Sequence, residues 1–306
     1  MSLFKKILRF FTLLKRINDK LEYLQQAIGR IESRQLENRP TRNLADMEFK
    51  VFSQFGEDGI IQYLIRHVPI KERVFVEFGV EDYTESNTRF LLQNNNWDGL
   101  VIDGSARNID YIKSDRVYWR HSIKAECAFI DRENICSLIQ KNGISGDIGL
   151  LSIDIDGNDY WVWEKIECIS PRIVICEYNS IFGPRARISV PYNKFFMRSK
   201  AHFTNLYWGA SISALDYLAQ KKGYSLLGSN SAGNNVFFVR NDLRGSLPVQ
   251  SPAQAYVRSQ FRESRDLHGK LTYLSHQEGI QLLSDMPVYN FDKQEVVKMA
   301  DIKDLL

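Results

Sequence analysis

Apolar residues recur at alternating steps of three and four near the start of the chain. Ile7, Phe10, Leu14, Ile17, Leu21, Leu24, Ile28 and Ile31 fill every a and d site of about four heptads. This pattern predicts one long amphipathic helix, a coiled-coil segment over 1–38. The alternative reading is a helix that lays its apolar stripe on the rest of the protein. A linker over 39–49 follows, with Pro40 as its breaker. The rhythm then changes to an α/β alternation that occupies 50–306, with a C-terminal extension from about 241.

Within that domain, Ile60, Ile61, Leu64, Ile65 and Val68 at helical spacing mark a helix over 54–67 that stops before Pro69. The apolar run that follows, Val74-Phe-Val-Glu-Phe-Gly79, reads as a strand buried on both faces. Further strands are predicted over 100–103, 117–121, 148–155 and 173–178, separated by helices over 88–94, 131–141 and 160–168. A helix over 211–222 precedes two last strands, 224–228 and 235–239. The turn-rich Ser229-Asn-Ser-Ala-Gly-Asn234 between them favours an antiparallel hairpin. The sum is a Rossmann-like, doubly wound sheet of seven strands.

In such a sheet ligands lie beyond the carboxyl ends of the strands. The first strand delivers Glu77 and turns through Gly79, which leaves the backbone open to a ligand; the second ends in Asp103, an acid placed to suit the two hydroxyls of a ribose. A buried carboxylate at the end of an apolar strand requires a partner, and a bound cofactor supplies one. A dinucleotide site would need further glycines after Gly79, but Val80, Glu81, Asp82 and Glu85 stand there instead, and no phosphate-binding Gly-rich loop occurs elsewhere. Acids in that turn repel pyrophosphate and favour a cofactor that is phosphate-free and positively charged. S-adenosylmethionine, with a sulfonium and an ammonium group, fits.

The segments Ser53-Gln-Phe-Gly-Glu-Asp-Gly59, Val76-Glu-Phe-Gly79, Glu85-Ser-Asn-Thr-Arg89, Leu151-Ser-Ile-Asp-Ile-Asp-Gly157 and Glu177-Tyr-Asn179 resemble the FkbM type of class I S-adenosylmethionine-dependent methyltransferases. Gly209-Ala-Ser-Ile-Ser-Ala-Leu215 and Gly233-Asn-Asn-Val-Phe-Phe-Val-Arg240 add to the resemblance, especially to members linked to surface-polysaccharide and glycolipid synthesis. It covers about residues 50 to 290. It implies an inserted antiparallel last strand and cofactor contacts at Gln54 and Glu57, for the methionine end, and at Asn87 and Asp154. It also implies an O-methyltransferase for a sugar hydroxyl of a polysaccharide, O-antigen or glycolipid.

Acids at the fourth and fifth strand ends are the candidates for the chemistry. Asp154 and Asp156 flank Ile155 before the turn at Gly157, and Glu177 closes the fifth strand. Asp154, Glu177 and Asn179 together offer three oxygen ligands to Mg2+ or Mn2+. Asp154, Asp156, Glu177 and His202, the last in the long segment before the 211–222 helix, are the candidates for removing an acceptor proton. Asp156 reads equally as a helix cap, Asp159 mainly as one, and the Ser53–Asp58 segment as a cap as well.

The 306 residues are 44% hydrophobic and 12% aromatic, ample for a sizeable core, and the net charge of +3 gives no footprint for nucleic acid. Four cysteines without Cys-x-x-Cys spacing read as reduced thiols, which fits a cytoplasmic protein. Before Asp19 there is no acid, whereas Lys5, Lys6, Arg9, Lys15 and Arg16 accompany aromatic and aliphatic residues, so residues 1–16 suit peripheral contact with the inner face of an anionic membrane. The heptads predict a homo-oligomer. Two other readings remain open: methylation of a small soluble metabolite or nucleotide sugar, and a cofactor-binding scaffold without catalysis.

Overall fold

The long N-terminal pattern forms one helix, α1 (Leu3–Gln35). The protein is described by a computed structural model covering residues 3–36, 39, 41 and 43–305. Positions 1, 2, 37 and 38 of the expected N-terminal segment and 40 and 42 of the expected linker, Pro40 included, lie outside the described residues. The remaining elements in chain order are α2 (Glu57–His67), β1 (Val74–Phe78), α3 (Arg89–Asn95), β2 (Asp98–Asp103), α4 (Ala106–Ser114), α5 (Arg116–Arg120), β3 (Ile123–Cys127), α6 (Ile135–Lys141), β4 (Gly146–Ile153), α7 (Asp159–Lys165) and β5 (Ile169–Glu177). They continue with β6 (Ile188–Ser189), α8 (Arg198–Ala201), α9 (Ile212–Lys221), β7 (Tyr224–Ser229), β8 (Asn235–Arg240), α10 (Pro252–Ala255), α11 (His276–Leu282), β9 (Pro287–Asn290) and β10 (Glu295–Lys298).

Seven strands form one sheet in the order β3-β2-β1-β4-β5-β8-β7. The first five are parallel, and β8 runs antiparallel between β5 and β7, so the hairpin and its inserted antiparallel strand are as the sequence led us to expect. Apolar side chains on both faces make two cores. Val76, Leu100, Leu151 and Val174 pack under α6, α7 and α9. Phe75, Val101, Leu150 and Ile173 pack under α2, α3 and α4. The chain leaves β1 in both directions, to β2 on one side and β4 on the other, which opens a crevice at their carboxyl ends.

One strand assignment is corrected. Residues 117–121 are not the third strand: the Asp115 side chain accepts from Val117 N (2.8 Å) and starts α5, and only Val117 of that run is buried while Trp119 faces solvent. The strand is β3, at 123–127. A second sheet, in the order β10-β9-β6, has no counterpart in the sequence reading; it covers an apolar cluster of Phe182, Val190, Leu283, Val288 and Met299.

α1 does pack on the domain, but with the face opposite its apolar stripe. Asp19 pairs with Arg116 (2.5 Å), Glu22 with Arg89 (3.8 Å), and Gln26 Nε2 donates to Gln93 Oε1 (2.6 Å). Arg66 donates to Ser33 Oγ (2.8 Å), and Gly29 has no room for a side chain against Val51 and Phe90. Positions 19, 22, 26, 29 and 33 are again separated by three and four, so a second, polar stripe is what the helix lays on the domain.

Candidate functional site

The turn after β1 brings Gly79 against the end of β4. Gly79 has a left-handed backbone (φ 67°), its N–H donates to Ile102 O (3.0 Å), and a methyl group in its place would run into the carbonyl of Asp154. This close approach is the floor of a cleft of about 590 Å³ that reaches from the β1 and β2 ends across β4 to β5. Gln54, Glu77, Gly79, Asn87, Asp103, Asp154, Asp156 and Glu177 all line it. Most of the residues singled out from the sequence thus meet in one place.

Their hydrogen bonds separate them into two kinds. Glu77 is filled from within the protein: Oε1 accepts from Asn87 N (2.9 Å), and Oε2 from Ser86 Oγ (3.1 Å), Thr88 N (3.2 Å) and Thr88 Oγ1. Burial pushes its carboxyl up to about 6. Glu77 thus holds the turn that starts α3 and presents Asn87, while it still lines the cleft where the sequence reading placed it. Asp103 Oδ1 accepts from Ser105 N (2.8 Å) and Asn108 Nδ2 (3.1 Å), and Oδ2 from Glu81 N (3.0 Å) alone, which leaves Oδ2 acceptor capacity toward the cleft. Asp159 is a cap, accepting from Ile155 N (2.9 Å) and Gly157 N (3.0 Å).

Asp154 and Glu177 are different. Neither receives a backbone amide, and Glu177 Oε2 is buried without any partner. Burial pushes the Glu177 carboxyl well up, with the charges of Asp154 and Asp156 adding to it; burial does the same to Asp154, helped by Asp156 and Asp159. Each carboxyl thus raises the proton affinity of the other, and the two titrate as a pair. Opposite them, Arg198 from α8 donates to Asp156 Oδ1 (2.8 Å), to Asn205 O (2.7 Å) and to Glu263, and lies over the Trp208 ring (4.6 Å). Burial works against its charge, but Glu263, Glu177 and Asp156 outweigh that and keep it ionised.

Three candidates are corrected. Glu57 is fully buried away from the cleft, where Oε1 accepts from Asn230 Nδ2 (2.7 Å) and Asn235 Nδ2 (2.9 Å) and Oε2 from Phe55 N (2.9 Å); it ties α2 to the β7–β8 turn. His202 lines no part of the cleft; its Nδ1 is bonded to Thr204 Oγ1 (2.7 Å), and burial lowers its pKa. Asn179 is not a metal ligand. Its amide donates to Leu206 O and Trp208 O (both 2.9 Å) and its oxygen accepts from Ile181 N (3.0 Å), and among the described residues no three His, Cys, Asp or Glu side chains are grouped to hold a metal ion.

The C-terminal extension supplies what sequence reasoning missed. Val257 and Ser259 are bound to Tyr178 and Ser180 beyond β5, and the strap they begin carries Phe261 onto Phe55 as a stacked pair (5.7 Å, 7°) and Glu263 onto Arg198. Phe55 sits inside the quoted Ser53–Gly59 segment, which was its only signal. Beyond the strap lies a second cavity of about 510 Å³, which shares Phe261 and Glu263 with the cleft.

No protein-family profile matches the chain, and no curated protein matches it significantly. Solved structures do match. One is an S-adenosylmethionine-dependent methyltransferase from Clostridium acetobutylicum (12% identity, 41% of this chain and 50% of that one, TM-score 0.31), of which the chain spans about half. Another is the N-terminal domain of EvdMO1 with SAH bound (8% identity, 70% and 95% covered, TM-score 0.40). A third is an O-methyltransferase from Bacillus cereus in complex with SAH (12% identity, 55% and 74% covered, TM-score 0.33). Likenesses this distant leave function to be argued from the cleft itself.

Proposed function

We propose that this protein is an S-adenosylmethionine-dependent O-methyltransferase acting on a sugar hydroxyl, as in a polysaccharide, O-antigen or glycolipid. One observation carries the cofactor assignment: Glu77, Glu81, Glu85, Asp103, Asp154, Asp156, Glu177 and Glu263 line the cleft against a single cation among the described residues, Arg198. Such a wall disfavours a pyrophosphate or a nucleic-acid backbone and favours a cationic ligand. Bound there, S-adenosylmethionine supplies an electrophilic methyl group on a cationic sulfur. Asp103 is the residue for the ribose hydroxyls, with Gln54, Gly79, Asn87 and Asp154 around the remainder.

A sugar hydroxyl is a poor nucleophile until its proton has somewhere to go. The Asp154–Glu177 pair lies in a water-poor corner with its proton affinity raised by burial, and Glu177 Oε2 has a vacant acceptor position. With the cofactor bound, the acceptor oxygen would take the methyl group as the carbon–sulfur bond breaks and leaves neutral S-adenosylhomocysteine, and an ionised carboxylate of this pair would receive the hydroxyl proton. The second cavity supports the acceptor class. Trp208, Tyr273, Arg258, Arg262, His276 and Glu278 give it aromatic faces and several hydrogen-bonding groups, as a hydroxyl-rich ligand requires. The same lining suits a free nucleotide sugar.

Calorimetric titration with S-adenosylmethionine, S-adenosylhomocysteine, NAD+ and ATP tests the cofactor. One site for the first two and none for the phosphate-bearing pair is expected; no binding of S-adenosylmethionine refutes the proposal. Transfer of labelled methyl to glycan and nucleotide-sugar fractions, read by mass spectrometry, then tests the acceptor.

A further inference from the structure

We infer that α1 joins this protein to further copies of itself through the seam of Ile7, Phe10, Leu14, Ile17, Leu21, Leu24, Ile28 and Ile31. All eight are 45–58% exposed, although the helix is already fixed to the domain. In heptad terms the docked residues Asp19, Gln26 and Ser33 are f positions, and Glu22 and Gly29 are b positions. The f positions lie diametrically opposite an a/d seam. A partner helix can therefore approach without displacing the domain, which sits on the outside of the resulting bundle.

The size of the surface fits. Half of an Ile, Leu or Phe surface at eight positions, together with exposed Phe11 and Leu13, is on the order of 800 Å² per chain, about what each partner buries in a stable interface. The period fits as well. A seven-residue repeat held over about four heptads drifts by ~20° per heptad on a straight helix, and it stays in register only against a partner that supercoils with it. A lipid surface imposes no such period. From residue 18 onward the positions flanking the seam are Asn18, Lys20, Gln25, Ala27, Glu32 and Arg34, a narrow apolar seam with borders that are polar at all but Ala27 and carry both charges, suited to a helix partner. No described helix is long and apolar enough to cross a membrane. Isoleucine at the d sites 17 and 31 favours bundles of three or four helices over two.

Light scattering on the full chain after size separation is the test, with Leu21→Glu/Leu24→Glu as the seam variant and Gln26→Ala as a control on the docked face. The wild type and the control are expected at a multiple of 35.6 kDa, and the seam variant at 35.6 kDa with an unchanged thermal midpoint. Should the double variant fail to fold, the milder Leu24→Asn is expected to lower the mass at dilution. A wild type that is monomeric at micromolar concentration overturns the inference, and so does a monomer that sediments with phosphatidylserine vesicles. A folded seam variant that keeps the wild-type mass overturns it equally.

Discussion

Asp58 offers the sharpest test of how the cleft wall is held. Its Oδ2 accepts four hydrogen bonds, from Val51 N (2.8 Å), Phe52 N (2.7 Å), Ser53 N (2.7 Å) and Ser53 Oγ (2.8 Å), and so fixes the loop that presents Gln54 and Phe55 to the cleft. All three donor residues are buried. Asp58→Ala leaves three backbone N–H groups without an acceptor, each costing ~1–3 kcal/mol if nothing relaxes. Partial rearrangement lowers the sum, and a loss of about 4 kcal/mol is expected, a large share of the ~5–15 kcal/mol that hold a typical domain together. Asp58→Asn keeps an oxygen in place for the amides and sets its NH2 where Oδ1, which has no partner, now lies, so a loss nearer ~1–2 kcal/mol is expected.

The pH dependence separates the two variants from the wild type. Burial raises the Asp58 carboxyl from 3.8 to about 6 in the folded protein. Between those values the folded state binds more protons than the unfolded one, so this group's contribution falls as pH rises from about 4 to about 6 and stays low above it. The full swing is on the order of 3 kcal/mol. Glu77 and Asp159, also raised to about 6 by burial, add slopes of the same sign, so the difference between wild type and variant isolates Asp58. Urea denaturation at several pH values reads both effects. The reasoning fails if Asp58→Asn is as damaging as Asp58→Ala, or if the difference between wild type and Asp58→Asn is flat between pH 4 and 6.

Asp103→Ala is expected to weaken S-adenosylmethionine binding by ~1–3 kcal/mol in calorimetry, the value of hydrogen bonds to a charged group; unchanged affinity would remove Asp103 from the cofactor site. Glu177→Gln keeps the shape of the side chain but cannot take a proton, so turnover should fall by ~10²–10⁴ while cofactor affinity stays within a few-fold. Because burial raises both carboxyls of the Asp154–Glu177 pair, wild-type turnover should rise with pH as the pair ionises. Gly79→Ala puts a methyl group against the Asp154 carbonyl at a left-handed position and should lower stability by at least ~2 kcal/mol in urea denaturation; a neutral result would refute the close approach of the β1 and β4 ends.

What was legible in the sequence is what is determined locally. Val74–Phe78 and its parallel neighbours are apolar on both faces because helices cover both, and such runs announce themselves. Asp103 and the Asp154–Gly157 turn follow directly from where those runs stop. Residues 117–121 misled because β-branched and aromatic residues also start a short helix when an aspartate stands before them. The rest was hidden by distance along the chain. The partners of Glu57 are Asn230 and Asn235, Arg198 meets Glu263, and Phe55 meets Phe261, pairs that no local pattern links. The apolar stripe of α1 was plain, but the polar stripe that docks it became visible only with its partners Arg116, Arg89 and Arg66 in place.

The acids illustrate where sequence reading stops and why. Asp58, Glu77, Asp159 and Glu177 all sit at strand ends or helix starts, and all are buried and shifted upward. Asp58, Glu77 and Asp159 accept from backbone amides, which fixes each of them in a turn. Glu177 accepts from none among the described residues, and its buried oxygen stands beside a second carboxyl that raises its proton affinity. A buried acid without amides adds nothing to the hold on its own loop and costs stability, so its place is best explained by a ligand whose proton or charge it receives. That distinction lies in the direction of N–H groups several residues away, which residue type and spacing do not encode, and it is what sets Glu177 and Asp154 apart as the centre of the proposed chemistry.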